Sequence, residues 1–106
     1  MKKILIFIFS VYTNSLISQD YYIYVTAESE DEVSLIKFDG TNAYEKEKIK
    51  VGIMKTEIEG PHGITVDPNG EYWYLSLAHG NPYGSLVKYS TESNKPISKT
   101  KLGLFP

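Results

Sequence analysis

At 106 residues, with 11 basic against 13 acidic side chains and a formal net charge of −2, the chain has room for one small domain. It carries no basic excess to draw nucleic acid or an anionic membrane surface. The absence of cysteine excludes a disulfide framework, a thiolate metal site and a lipid anchor on an N-terminal cysteine.

Residues 1–18 read as a secretory signal peptide. Lys2 and Lys3 form a positive start, residues 4–12 are apolar apart from Ser10, and polar residues follow from Thr13 to a small Ser18 before Gln19. The apolar run is well short of the about 20 residues that span a bilayer. The expected product is residues 19–106, located in the periplasm or outside the cell, with no stable membrane insertion after cleavage. Loss of the two lysines moves its net charge from −2 to −4. At that length and without covalent staples, a hydrophobic core is marginal.

The rest of the chain reads as all-β. Residues 21–27 are rich in aromatic and β-branched side chains and end in the acidic cluster Glu28, Glu30, Asp31 and Glu32. Residues 33–38 form the next run, closed by Asp39-Gly40-Thr41-Asn42. Residues 45–51 alternate, with Glu45, Glu47 and Ile49 on one face and Lys46, Lys48 and Lys50 on the other. So polar a strand suits an outer edge. A connection over 52–60 leads to two runs at 64–66 and 72–77, joined by Asp67-Pro68-Asn69-Gly70, a strong turn signal. Strands at 85–89 and 96–102 follow, and no window keeps a helical period.

The chain also repeats itself. Tyr24-Val25-Thr26 matches Tyr74-Leu75-Ser76 fifty positions on, and Ser34-Leu35-Ile36-Lys37-Phe38 matches Ser85-Leu86-Val87-Lys88-Tyr89 fifty-one positions on. Val51-Gly52 matches Leu102-Gly103 at the second offset. A period of 40 to 50 residues with four short strands is the sequence mark of a β-propeller blade.

Pro61-His62-Gly63-Ile64-Thr65-Val66-Asp67-Pro68-Asn69-Gly70, followed by Tyr74-Leu75-Ser76, resembles the start and central strand of the YVTN-type repeat. The closing Lys50-Val51-Gly52 and Lys101-Leu102-Gly103 resemble the family's last strand. Ala27 and Leu77 stand where the family has Asn, and the pattern overlaps with NHL-type repeats. The resemblance covers residue 21 to the end and implies a secreted seven-bladed β-propeller. Its superfamily includes lactonase-type, cytochrome d1 haem-domain and nitrous-oxide-reductase-like proteins. On this reading residues 19–52 are a partial first blade and 53–103 a second. The remaining blades are expected from a longer chain or from copies of this one.

Within a blade of that family the chain runs outward from the central channel through strands A to D. The connection into A and the B-to-C loop then emerge on one face. His62 enters A and His79 leaves B; Glu57 and Glu59 lie in the connection before A, and the acidic cluster occupies the first B-to-C loop. His62, His79, Glu57 and Glu59 are therefore the candidate ligand-binding residues. His62 and His79 are candidate ligands for a divalent metal such as copper, since imidazole and carboxylate suit such ions. The competing reading makes His79 a loop residue bonded to backbone, His62 a brace for the D-to-A crossing, and the acidic cluster a solvated loop.

No Ser-His-Asp order, paired-carboxylate motif, phosphate loop or haem-attachment signature is visible. The leading expectation is an exported propeller that binds a small molecule or a protein at the histidine-bearing face. The alternative is an enzyme or metalloprotein of the same superfamily, lactonase-like or copper-dependent, with His62 and His79 in a site completed by other blades.

Overall fold

The computed structural model describes residues 19–54, 56–79 and 82–106. The expected leader at 1–18 lies outside the described residues. The described chain is all-β and folds into two antiparallel sheets, each a meander in which neighbours in sequence are neighbours in space. The first sheet comprises β1 (Tyr21–Ala27), β2 (Glu32–Phe38) and β3 (Ala43–Lys50). The second comprises β4 (Pro61–Val66), β5 (Tyr72–Leu77), β6 (Ser85–Ser90) and β7 (Pro96–Lys101).

Local chemistry accounts for the turns. Between β4 and β5, Asp67 Oδ1 accepts hydrogen bonds from the Glu71 and Tyr72 amides at 2.8 and 3.3 Å, and Gly70 takes the positive φ of 71° that the turn requires. Between β2 and β3, Asp39 Oδ1 accepts from the Thr41 and Asn42 amides at 2.9 and 2.7 Å. These bonds, the one from Asn42 foremost, hold the Asp39 carboxyl below its ordinary range.

β3 is the polar edge its composition anticipates, buried only at Ile49. One detail differs from the sequence expectation. Leu35 lies opposite Glu47 and Ile36 opposite Glu45, so Lys46 is an extra residue in a bulge. The bulge moves Glu45 off the face of Glu47 and Ile49 and onto the opposite one, where its Oε1 accepts from Ser34 Oγ at 2.6 Å.

The sheets pack face to face. Val33, Leu35, Ile49 and Val51 of the first meet Trp73, Leu75, Leu77, Val87 and Tyr89 of the second in one buried cluster, with Tyr24 and Ile64 against it. Burying each large apolar side chain contributes about 1.5–3 kcal/mol relative to leaving it in water. Rings add geometry to that area: Tyr24 stacks on Trp73 at 4.9 Å between centroids, and Trp73 stacks on its cross-strand partner Tyr89 at 4.0 Å.

The repeat has a structural counterpart. The Val51 amide donates to the Asp31 carbonyl at 2.9 Å, and the Leu102 amide, fifty-one positions on, donates to the Gly84 carbonyl at 2.8 Å. The hairpins differ in register, because Tyr24 lies opposite Leu35 whereas Tyr74 lies opposite Lys88. A slip of two residues is even, so every matched side chain keeps its face of the sheet.

Candidate functional site

The segments expected to share one end do so. Residues 59 and 60 continue the β4–β5 ladder past the strand ends, with the Ala78 amide donating to the Gly60 carbonyl and the His79 amide to the Glu59 carbonyl, at 2.9 and 2.8 Å. The short 3-10 helix Glu28–Glu30 of the first sheet lies against this extension. His79 Nε2 reaches Glu28 Oε1 at 2.8 Å and so joins the two sheets across the exposed rim. The His79 ring also stands edge-on to Phe105, with centroids 6.1 Å apart.

Glu28 is the electrostatic centre of this rim. Its carboxyl is held below the ordinary glutamate range, first by the hydrogen bond from His79 and then by the nearby charges of His62 and His79. His62 itself is exposed, one residue into β4. Of the two candidate histidines, His79 contacts this carboxylate and His62 acts on it only through its charge; the sequence placed that carboxylate in the acidic cluster.

Asp31 and Glu59 point inward. Asp31 has a left-handed backbone, φ 50°, and its carboxylate accepts from the Glu59 amide at 2.9 Å and the Gly60 amide at 2.8 Å. Glu59 is buried, and its Oε2 accepts from the Met54 amide at 2.9 Å and from the Ile53 amide, while Lys99 Nζ lies 4.0 Å from its Oε1. Gly52 closes against Asp31, since a Cβ there would stand 2.5 Å from Asp31 Oδ2. Asp31 therefore ties the end of the 52–60 connection to the first sheet, and Glu59 closes that connection on itself, both through backbone amides whose donors burial would otherwise orphan.

The four candidate ligand residues separate accordingly. His62 and Glu57 are exposed, His79 is bound to Glu28, and Glu59 is committed to backbone. Among the described residues, no group of three or more histidine, cysteine, aspartate or glutamate side chains is placed to hold a metal ion. Beside this rim lies an open recess of about 570 Å³ lined by Glu30, Asp31, Glu32, Lys50, Gly52 and Met54. Glu32 is tied to Lys48 at 3.6 Å, so Glu30 is the carboxylate the acidic cluster leaves exposed there.

Sequence reasoning missed a cleft at the opposite end. Tyr22, Tyr24, Lys46, Gly70 and Thr91 surround a space of about 310 Å³ between the sheets, with Lys46 Nζ 4.9 Å above the Tyr22 ring. Only the face-to-face packing of the sheets creates it. Comparison with protein-family models, with curated proteins and with solved structures finds no match to the chain.

Proposed function

We propose that this chain is an exported β-propeller-type binding module, and that it takes a small polar molecule at the rim formed by residues 28–31, 52–54, 59–62 and 78–79. The carrying observation is the fixation of that rim. Asp31 and Glu59 tie its connection through backbone amides, and the His79–Glu28 pair ties one sheet to the other. Groups held in place before a ligand arrives lose little entropy on binding. His62, Glu57 and Glu30 remain exposed around it as polar contacts.

The propeller reading is supported by the fifty-residue repeat, the shared hydrogen bond at Val51 and Leu102, and the four-stranded meander of the second sheet. Export is supported by Lys2, Lys3 and the apolar run after them. A secreted product whose mass begins at Gln19 is the expected outcome for the leader; an intact N-terminus overturns it.

The binding reading is tested by titrating the 15N-labelled protein with divalent cations, monosaccharides and simple lactones and following amide shifts. Shifts confined to the rim support it; shifts confined to the Tyr22 and Tyr24 cleft, or none with any probe, overturn it. Lactone turnover, or a stoichiometric metal lost in the His62→Ala, His79→Ala double variant, would replace it with the enzyme or metalloprotein alternative.

A further inference from the structure

Each sheet has a covered face and an open face, and the repeat relates them crosswise. The second sheet turns Trp73, Leu75, Val87 and Tyr89 toward the first, at 0%, 0%, 1% and 3% exposure. Their matches in the first sheet are Ile23, Val25, Ile36 and Phe38. Cross-strand pairing of Ile23 with Ile36 and of Tyr21 with Phe38 puts those matches on one face, the face away from the core, where Ile23 and Val25 are each 48% exposed.

The converse holds for the second sheet. Leu35, 5% exposed, and Tyr24 face the core; their matches Leu86 and Tyr74 lie on the outer face of the second sheet, with Leu86 at 37% exposure. There a depression of about 300 Å³ is lined by Gly63, Thr65, Tyr74, Ser76 and Leu86, and Lys88 Nζ covers the Tyr72 ring at 3.7 Å.

From this crosswise relation we infer that the chain stacks head to tail on a second copy of itself. The outer face of the first sheet, with Tyr21, Ile23, Val25 and Phe38, covers the outer face of the second sheet, with Tyr74 and Leu86, of the neighbouring copy. The contact continues the interface already present inside each chain: Ile23 takes the place of Trp73 against Tyr74, which takes the place of Tyr24. Two different surfaces are used, so the contact is heterologous and leaves an open face at each end for a further copy. The apolar side chains that these two faces leave open are Tyr21, Ile23 and Val25 on one and Leu86 on the other. The inference rests on the matched faces and not on the ligand-binding rim, so failure of either leaves the other standing.

Sedimentation velocity of the secreted product over a range of concentrations, with variants Val25→Lys and Leu86→Lys, tests the inference. Wild type is expected to grow in mass with concentration, and each variant to weaken self-association by about tenfold or more, a change of at least about 1.4 kcal/mol. An equimolar mixture of the two variants should form a 1:1 dimer, because each retains the face the other has lost. Near-UV circular dichroism from the Trp73 stack checks that both variants fold. Should either fail to fold, a copy carrying Ile23→Cys mixed with one carrying Tyr74→Cys should form a mixed disulfide, in a chain that otherwise has no cysteine. A wild type that stays monomeric, a variant mixture that stays monomeric, self-association abolished by only one substitution, or no mixed disulfide overturns head-to-tail stacking.

Discussion

Tyr24 and Trp73 stack between the two sheets and donate to the same atom. The Tyr24 hydroxyl and Trp73 Nε1 reach Asn94 Oδ1 at 3.1 and 3.2 Å, while Asn94 Nδ2 donates to Glu47 Oε2 at 2.8 Å. One side chain in the β6–β7 turn therefore satisfies donors from both sheets. Asn94→Gly is expected to lower stability by about 2–4 kcal/mol, since it leaves two partly buried donors without an acceptor. Glycine tolerates the positive φ of 53° at this position, so the loss reports on hydrogen bonds and not on backbone strain. Urea unfolding followed by the fluorescence of Trp73 measures it, and a loss under about 0.5 kcal/mol would remove Asn94 from the packing account.

The Glu28–His79 pair makes the sheet junction sensitive to acid. Glu28 has its folded-state pKa lowered, chiefly by the hydrogen bond from His79. A carboxylate of lowered pKa contributes stability that is fully present above its unfolded value and is lost as pH falls through the lower folded value. Melting temperature should therefore drop across the acidic range in wild type and drop less steeply in Glu28→Gln. Parallel curves for the two proteins would mean that the pair adds nothing.

At the alkaline end the sensitive group is Tyr89. Burial, and then the charge of Glu59, push its hydroxyl up to about 12. A tyrosine of raised pKa stabilises the fold fully below its ordinary value of 10.0, and the contribution disappears as pH rises through about 12. Stability measured over that window should fall in wild type and stay flatter in Tyr89→Phe. A phenolate absorbance titration that shows all tyrosines ionising together near the ordinary value would contradict this assignment.

The strands were legible because each is a compact alternation of β-formers closed by a turn signal. Residues 21–27 and 72–77 are read with the bounds the structure has, and the Asp67 to Gly70 turn announces its hairpin. The polar edge was legible from the charges of β3. The bonding roles of Asn94, Asp31 and Glu59 were not: Asn94 has partners 21, 47 and 70 positions away and Asp31 has them 28 or 29 away, while Glu59, read as a ligand residue, is taken up by backbone amides that carry no side-chain signal. The Lys46 bulge was invisible for a related reason: a strand of alternating charge reads equally well with or without one extra residue. Both histidines were found at the same end, but Glu28, the carboxylate that His79 meets, was hidden in an acidic run whose composition favours solvated loops.

Gly60 shows how tightly the rim is built. It has a φ of 64°, and a Cβ added there would collide with His79 Cδ2. Two costs act together on Gly60→Ala: backbone strain of about 1–3 kcal/mol and displacement of the imidazole that holds Glu28. His79→Ala alone should be milder, because the pair it breaks lies on an exposed rim. Combining the two substitutions relieves the collision and leaves the strain, so the double variant should be more stable than the sum of the single losses predicts. Thermal unfolding of the four proteins gives the coupling directly. Strict additivity would show that Gly60 serves the backbone alone, whereas positive coupling identifies it as the residue that lets His79 lie flat across the strand and reach the other sheet.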